Sequence, residues 1–267
     1  MKYKLFISDY DGTLGVAPKN DIATPVLSAI NEFTKKGGIF TICSGREYRS
    51  IKKICDEQGL KGLVVSFQGA TIHDLATGER IFDGGLDGES ALECLNEVLE
   101  YGLEPIVYTP DKFYIEKDTP FTAGYEKAVG MKGDIENSVS VVKRLKKVCK
   151  LGWLGDDNAV NRAVVELNKK HDGVGVKYNS GAVGLLEAIN PECSKGNAVR
   201  FLANYYNIPL EQVIAVGDST NDIPLIDGEW HGVAVGDGRK ELKAVAKEVT
   251  VPFNDHPVKV LLDKYCL

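Results

Sequence analysis

Asp9-Tyr10-Asp11-Gly12-Thr13-Leu14 sets two carboxylates two residues apart, directly after Tyr3-Lys4-Leu5-Phe6-Ile7-Ser8, a run that reads as a buried strand. Like charges at that range raise one another's pKa and repel unless a cation or a proton intervenes. Gly12 lets the backbone turn sharply behind them, and the Thr13 hydroxyl can satisfy nearby backbone groups. A divalent metal beside a carboxylate nucleophile accounts for such a pair. A strand that ends in an acidic turn accounts for it too, because Asp and Gly are ordinary turn residues. Three more polar groupings fall where a strand or loop meets a helix: Ser44-Gly45-Arg46, Ser194-Lys195-Gly196-Asn197 and Gly217-Asp218-Ser219-Thr220-Asn221-Asp222. Taken singly, Ser44 reads as a turn residue and Lys195 as a surface lysine. Asp218 and Asp222 read as an N-cap and an acidic first helical turn. Their joint occurrence at successive strand exits points to one site, since ligands of open α/β sheets bind outside the carboxyl ends of the strands, at a switch point.

The elements that must position these groups alternate from the start. Residues 3–8 are a continuous β-favouring run; Thr24-Pro25 gives an N-cap and a first-turn Pro, with Val26, Leu27, Ile30 and Phe33 at helical spacing. Gly37-Gly38 closes that helix. Ile39–Cys43 reads as a second strand, a helix follows with Ile51, Ile54 and Cys55, and Leu63–Phe67 reads as a third strand. Continuous apolar strands separated by helices imply a parallel sheet covered on both faces, an α/β fold. The rhythm changes near Asp83, where Gly84-Gly85, Asp87 and Gly88 form a turn-rich stretch. From there to about Asn190 the pattern predicts helix, two short antiparallel strands (104–108 and 113–116), helix, strand, helix, two strands, an α+β insertion. Asp156, Asp157 and Asn158 read as a helix N-cap. After Pro191 the first rhythm returns, with a helix over 194–206 and strands at 213–216 and 232–235. The expected organisation is a core of residues 1–82 plus 190–267 and an inserted domain of residues 83–189.

At 267 residues the chain can bury a sizeable core. A net charge of −6 argues against a nucleic-acid partner, which needs concentrated Lys and Arg. The local run Lys143, Arg144, Lys146, Lys147 and Lys150 reads as a solvated face. Apolar stretches are strand-sized, so no membrane span is expected, and the N-terminus enters its first strand without a secretory h-region. Six scattered cysteines without zinc spacing suit buried free thiols in a reducing cytoplasm. Nothing in the chain speaks to oligomeric state.

Asp-x-Asp-Gly-Thr, Ser-Gly-Arg after a strand, an isolated Lys and Gly-Asp-x-x-Asn-Asp, in that order, resemble the four motifs of the haloacid dehalogenase-like superfamily. The place and α+β pattern of the insertion are similar to the Cof-type sugar-phosphatase branch with its type IIB cap. Phe67-Gln68-Gly69-Ala70 resembles that branch's Asn-Gly-Ala element, with Gln68 where Asn is usual, and Gly232–Gly236 resembles its penultimate strand. Asp237 stands where the following element commonly has Asn.

The resemblance implies a Rossmann-like core and an α+β lid that selects substrate. It implies Asp9 as the nucleophile that forms an aspartyl-phosphate, and Asp11 as the acid that protonates the leaving group and later takes a proton from water. A carboxylate approaches a phosphate dianion only when the repulsion is cancelled, which Mg²⁺ does. The implied metal ligands are the carboxylates of Asp9 and Asp218 and the backbone carbonyl of Asp11, with Asp222 orienting metal-bound water. Lys195, Ser44, the N–H groups of Tyr10 and Gly45, and the Asn221 side chain are implied to bind phosphate. Arg46 is the implied substrate contact. The activity expected is a Mg²⁺-dependent, cytoplasmic phosphatase of small phosphomonoesters, including sugar phosphates. A phosphomutase of the same superfamily and a non-catalytic phosphometabolite-binding protein are the alternatives.

Overall fold

A computed structural model describes residues 1–16, 21–171 and 175–267. The chain forms two compact units, Met1–Phe82 with Ser194–Leu267, and Asp83–Cys193.

In the first unit, β1 (Leu5–Ser8) is buried along its whole length. Leu5 and Ile7 pack with Val199, Leu202 and Trp230, whereas Phe6 packs with Phe33, Phe40 and Leu261. The period-two alternation of side chains therefore meets apolar cover on both faces, as a parallel strand requires. Helix α1 (Thr24–Lys35), β2 (Ile39–Ile42) and α2 (Tyr48–Glu57) follow. Ala23, not Thr24, caps α1, with no side-chain capping bond: Thr24 is already helical, and Pro25 supplies the fixed first-turn geometry. Strand β3 (Leu63–Ser66) meets the parallel sheet just past β2, through a parallel bridge between Cys43 and Val65 and a hydrogen bond from the Ser44 N–H to the Val65 carbonyl at 3.0 Å. It also pairs antiparallel with β4 (Thr71–Asp74), which neighbours β5 (Arg80–Asp83), a hairpin that the sequence reading did not include.

After the insertion come α7 (Lys195–Tyr205), β14 (Val213–Gly217), the short α8 (Ile223–Ile226), β15 (His231–Ala234), α9 (Lys240–Val245), β16 (Glu248–Val249) and α10 (Pro257–Tyr265). The main sheet runs β16-β15-β14-β1-β2, all parallel. Its order reverses at β1, which has β2 on one side and β14, from the far end of the chain, on the other. That reversal creates the crevice at the carboxyl ends of β1 and β14.

The inserted unit comprises β6 (Leu86–Asp87), α3 (Gly88–Val98), β7 (Glu104–Tyr108), β8 (Phe113–Ile115), α4 (Pro120–Val129), β9 (Asp134–Ile135), α5 (Ser138–Leu145), β10 (Lys147–Val148), β11 (Lys150–Leu154), α6 (Asp157–His171), β12 (Lys177–Ala182) and β13 (Leu185–Ile189). Six of the strands form a sheet of order β12-β13-β11-β7-β8-β9. The antiparallel pair β7–β8 agrees with the sequence reading, and Asp156 caps α6 by accepting from the N–H groups of Asn158 and Ala159. Between β8 and β11 the sequence reading has one helix where the structure has two, α4 and α5, and it does not include the two-residue strands β6, β9 and β10, which are too short to show a period. The basic run is not one solvated face. Lys143 and Arg144 are exposed in the last turn of α5, whereas Lys150 is buried, paired with Glu187, with its ammonium 4.6 Å from the centre of the Tyr108 ring. All six cysteines are free and buried. No helix of the described residues is long and apolar enough to cross a membrane.

Glu248 ties the end of the sheet to the last helix. It accepts from His231 at 2.9 Å, Lys264 at 2.9 Å and the Tyr265 hydroxyl at 2.7 Å. Partial burial opposes ionisation, but these three donors outweigh it and hold the carboxyl down at about 2. Its folded value lies below its unfolded one, roughly 4.3, so its contribution is present above that pH and is lost as pH falls toward 2. Glu248→Gln should therefore lower stability by about 2 kcal/mol at pH 7. The gap from wild type should narrow between about pH 4 and pH 3, read by urea unfolding. A gap that stays constant with pH would remove the electrostatic account.

Candidate active site

Asp9 is the first residue beyond β1, its N–H donating to the Val216 carbonyl of β14 at 2.9 Å. Its side chain is buried at the switch point, where Oδ1 accepts from Lys195 Nζ at 2.6 Å. Lys195, the first residue of α7, is 1% exposed, and its ammonium also donates to Asp222 Oδ1 at 2.5 Å. Lys195 is thus the opposite of the surface lysine it resembles in isolation. Burial alone would lower its pKa; Asp222 and Asp9 outweigh that and hold the ammonium above its ordinary value.

Asp222 is fully enclosed with both carboxylate oxygens engaged. Besides the Lys195 bond, Oδ2 accepts from the backbone N–H groups of Asp218 and Ser219, both at 3.1 Å. The residue capping this turn is Ser219, in a reciprocal capping box with Asp222, and not Asp218. Asp218 is left free of capping and accepts from the Thr13 hydroxyl at 2.9 Å. That bond corrects the sequence reading of Thr13, whose hydroxyl spans 205 positions to a side chain instead of serving local backbone. Gly12 makes the approach possible: its φ is +81°, and a Cβ there would lie 2.6 Å from Asp218 Oδ2. Gly69, with φ +108°, does the same for α7, because a Cβ would lie 2.4 Å from the carbonyl oxygen of Ser194, the residue capping that helix.

Carboxylate oxygens of Asp9, Asp218 and Asp222 all lie within 4.8 Å of one another. Burial first, then the charge of Asp222, push the Asp9 carboxyl above its ordinary range against the pull of Lys195. Burial and Asp222 likewise push Asp218 up to about 6. Three carboxylates against one ammonium leave the cluster short of positive charge. An all-oxygen donor set of this kind fits a hard divalent cation. Because Asp222 has both oxygens engaged, Asp9 and Asp218 are the carboxylates suited to ligate.

The remaining residues line the same strand ends. Ser44 is buried, and its Oγ accepts the Arg46 N–H at 3.1 Å, which leaves its own hydroxyl hydrogen to donate elsewhere. Gly45 lies beside the Gln68 amide, which a Cβ would meet at 2.3 Å. Tyr10 is buried with the Arg46 guanidinium 4.9 Å from its ring centre. Asp11 is held by Arg46, Nε to Oδ2 at 2.8 Å and Nη2 to Oδ1 at 2.6 Å. Asn221 is exposed on its turn, with no side-chain hydrogen bond among the described residues. Sequence reasoning did not find the Thr13–Asp218 and Arg46–Asp11 bonds, since neither partner carries a local signal of the other.

A family model described as haloacid dehalogenase-like hydrolase matches residues 6–262. The chain belongs to that family. It is similar to phosphatase YwpJ of Bacillus subtilis, at 25% identity over 278 residues, covering 96% of this chain and 97% of that one. It is also similar to an HMP-PP phosphatase of Serratia proteamaculans, at 23% identity over 254 residues, covering 93% and 89%. Among solved structures, a haloacid dehalogenase-like hydrolase from Bacteroides thetaiotaomicron superposes with a TM-score of 0.85 at 22% identity, over 98% of this chain and 99% of the other. This haloacid dehalogenase-like hydrolase therefore has relatives named as phosphatases and shares its fold with solved members of the family.

Removing Asp222 would leave a buried ammonium with one partner and two backbone N–H groups with none. Asp222→Ala should cost about 3 kcal/mol or more, because breaking a buried pair strands the other charge. Chemical denaturation reads it, and a loss below about 1 kcal/mol would mean that Lys195 is not held as described.

Proposed function

We propose that this hydrolase is a Mg²⁺-dependent phosphatase of small phosphomonoesters, sugar phosphates among them, working through an aspartyl-phosphate on Asp9. The observation that carries the reading is Asp9 itself, buried at the switch point, clasped by Lys195 and adjoined by Asp218. A buried carboxylate in that setting has little to offer a passive binder, which needs no nucleophile. The phosphatase names of the relatives support the same class.

Mg²⁺ would be held by Asp9 and Asp218, with the Asp11 carbonyl completing the protein ligands, and would offset the repulsion between carboxylates and a phosphate dianion. Asp222, its oxygens committed to Lys195 and the turn, keeps those groups in place. In the first half-reaction an Asp9 oxygen bonds to phosphorus, the ester P–O bond breaks, and the leaving oxygen takes a proton from Asp11. Lys195, the Ser44 hydroxyl, the Asn221 amide and the N–H groups of Tyr10 and Gly45 are the donors for the phosphoryl oxygens. In the second half-reaction water attacks phosphorus, the bond to Asp9 breaks, and the Asp11 carboxylate takes the proton from that water. The core is read as residues 1–82 plus 190–267, and the insertion of residues 83–189 as the lid that selects the leaving group.

Incubation with a panel of sugar phosphates and Mg²⁺ should release inorganic phosphate, and EDTA should stop it. Asp9→Asn should lower kcat by about a thousandfold or more while circular dichroism stays that of the wild type. Appreciable turnover in that variant would exclude the covalent route. An isomerised sugar phosphate without free phosphate would favour a mutase, and binding without turnover across the panel would favour a sensor.

A further inference from the structure

We propose that Arg46 is a positioning residue for Asp11, acting on the reaction through that carboxyl and not by contact with the leaving group. The inference rests on the phosphatase reading above. Asp11 sits on a turn with its side chain 48% exposed, where a carboxylate ordinarily samples several rotamers. Here it has one partner that meets both oxygens at once, through Nε at 2.8 Å and Nη2 at 2.6 Å. A two-pronged fork fixes the plane of the carboxyl as well as its place.

Arg46 is itself immobilised on three sides. Its N–H donates to Ser44 Oγ at 3.1 Å, and its carbonyl accepts from the Phe67 N–H at 2.9 Å. Its guanidinium lies over the buried Tyr10 ring at 4.9 Å. The same segments that carry Ser44 and Tyr10 therefore carry the fork, so the acid–base carboxyl is registered to the phosphate donors through rigid backbone. An exposed ion pair contributes little to stability, and a surface contact would not need that scaffold. The two donors engaged with Asp11 are also those an arginine would use to fork a substrate oxyanion. In the second half-reaction the placement so fixed decides where the proton goes: water's oxygen bonds to phosphorus, the P–O bond to Asp9 breaks, and Asp11 accepts the water proton.

The test is a double-mutant cycle on the full chain with Mg²⁺ and 4-nitrophenyl phosphate, whose good leaving group keeps turnover measurable without an acid. Arg46→Ala should lower kcat roughly 10- to 100-fold, the usual scale of acid–base assistance. KM should stay within about threefold, because no uniform substrate binding is removed. In an Asp11→Asn background the same change should alter kcat by less than about twofold, since the pathway it serves is already gone. Arg46→Lys should resemble Arg46→Ala, because an ammonium keeps the charge and loses the fork. A rise in KM with kcat unchanged, or losses that multiply in the double variant, would overturn the proposal and make Arg46 a substrate contact. A wild-type protein that hydrolyses no phosphoester would overturn the phosphatase reading and this inference with it. Independently of activity, the Arg46 Nε–H resonance in ¹⁵N spectra should exchange slowly and should shift in Asp11→Asn. A resonance insensitive to Asp11 would sink the fork.

Discussion

A lysine ammonium enclosed at the carboxyl ends of the central strands is the constraint on which the rest of the first unit depends. Taking Lys195 and its two carboxylates out of water together costs several kcal/mol for each charge, so such a cluster is weak evidence for stability. An apolar side chain of similar volume would serve packing as well or better. The ammonium is tolerated because Asp9 comes from the first strand and Asp222 from the turn after β14, and both must arrive for either to be stable. Chain ends more than two hundred residues apart are thereby bound to one point. The strand order follows the same need, since only a sheet that reverses at β1 brings β1 and β14 side by side with their exits on one edge.

Backbone chemistry then does what side chains cannot. The loop after Asp9 must pass within contact distance of Asp218, and Gly12 in the left-handed region removes the Cβ that would occupy that space. The turn after β3 must pass the cap of α7 as closely, and Gly69 solves the same problem there. Asp222 accepts two N–H groups of the turn that bears it, so the charge that steadies Lys195 also shapes the loop presenting Asp218. One carboxylate thus joins local conformation to the electrostatics of the cluster.

How much of this was legible depended on whether a signal was local. Strands β1, β2 and β14 were readable because a strand buried on both faces is written as a run of apolar residues, and their polar exits follow directly in the chain. The family motifs join Asp9, Lys195, Asp218 and Asp222 although they lie in three separate stretches of the chain. Thr13 and Asp218 carry no sign of each other, nor do Arg46 and Asp11, since a fork between two loop residues leaves no period or spacing. Lys150 looked like one more charge in a basic run and is instead buried against Glu187 on a neighbouring strand. The β3–β4 hairpin hid for a related reason: Leu63–Ser66 is as apolar as the parallel strands, and composition does not record which partner a strand takes.

Asp9 and Asp11, two residues apart, are divided by environment. Asp9 is enclosed, its carboxyl raised by burial and by Asp222 and answered by a buried ammonium. Asp11, two residues on, is half exposed and answered by a guanidinium whose plane matches its own. Identical side chains held in such different surroundings can take different tasks, as the mechanism proposed for them requires. Tyr10 between them anchors the turn: its ring is buried in the core while its backbone carbonyl gathers the N–H groups of Leu14 and Gly15.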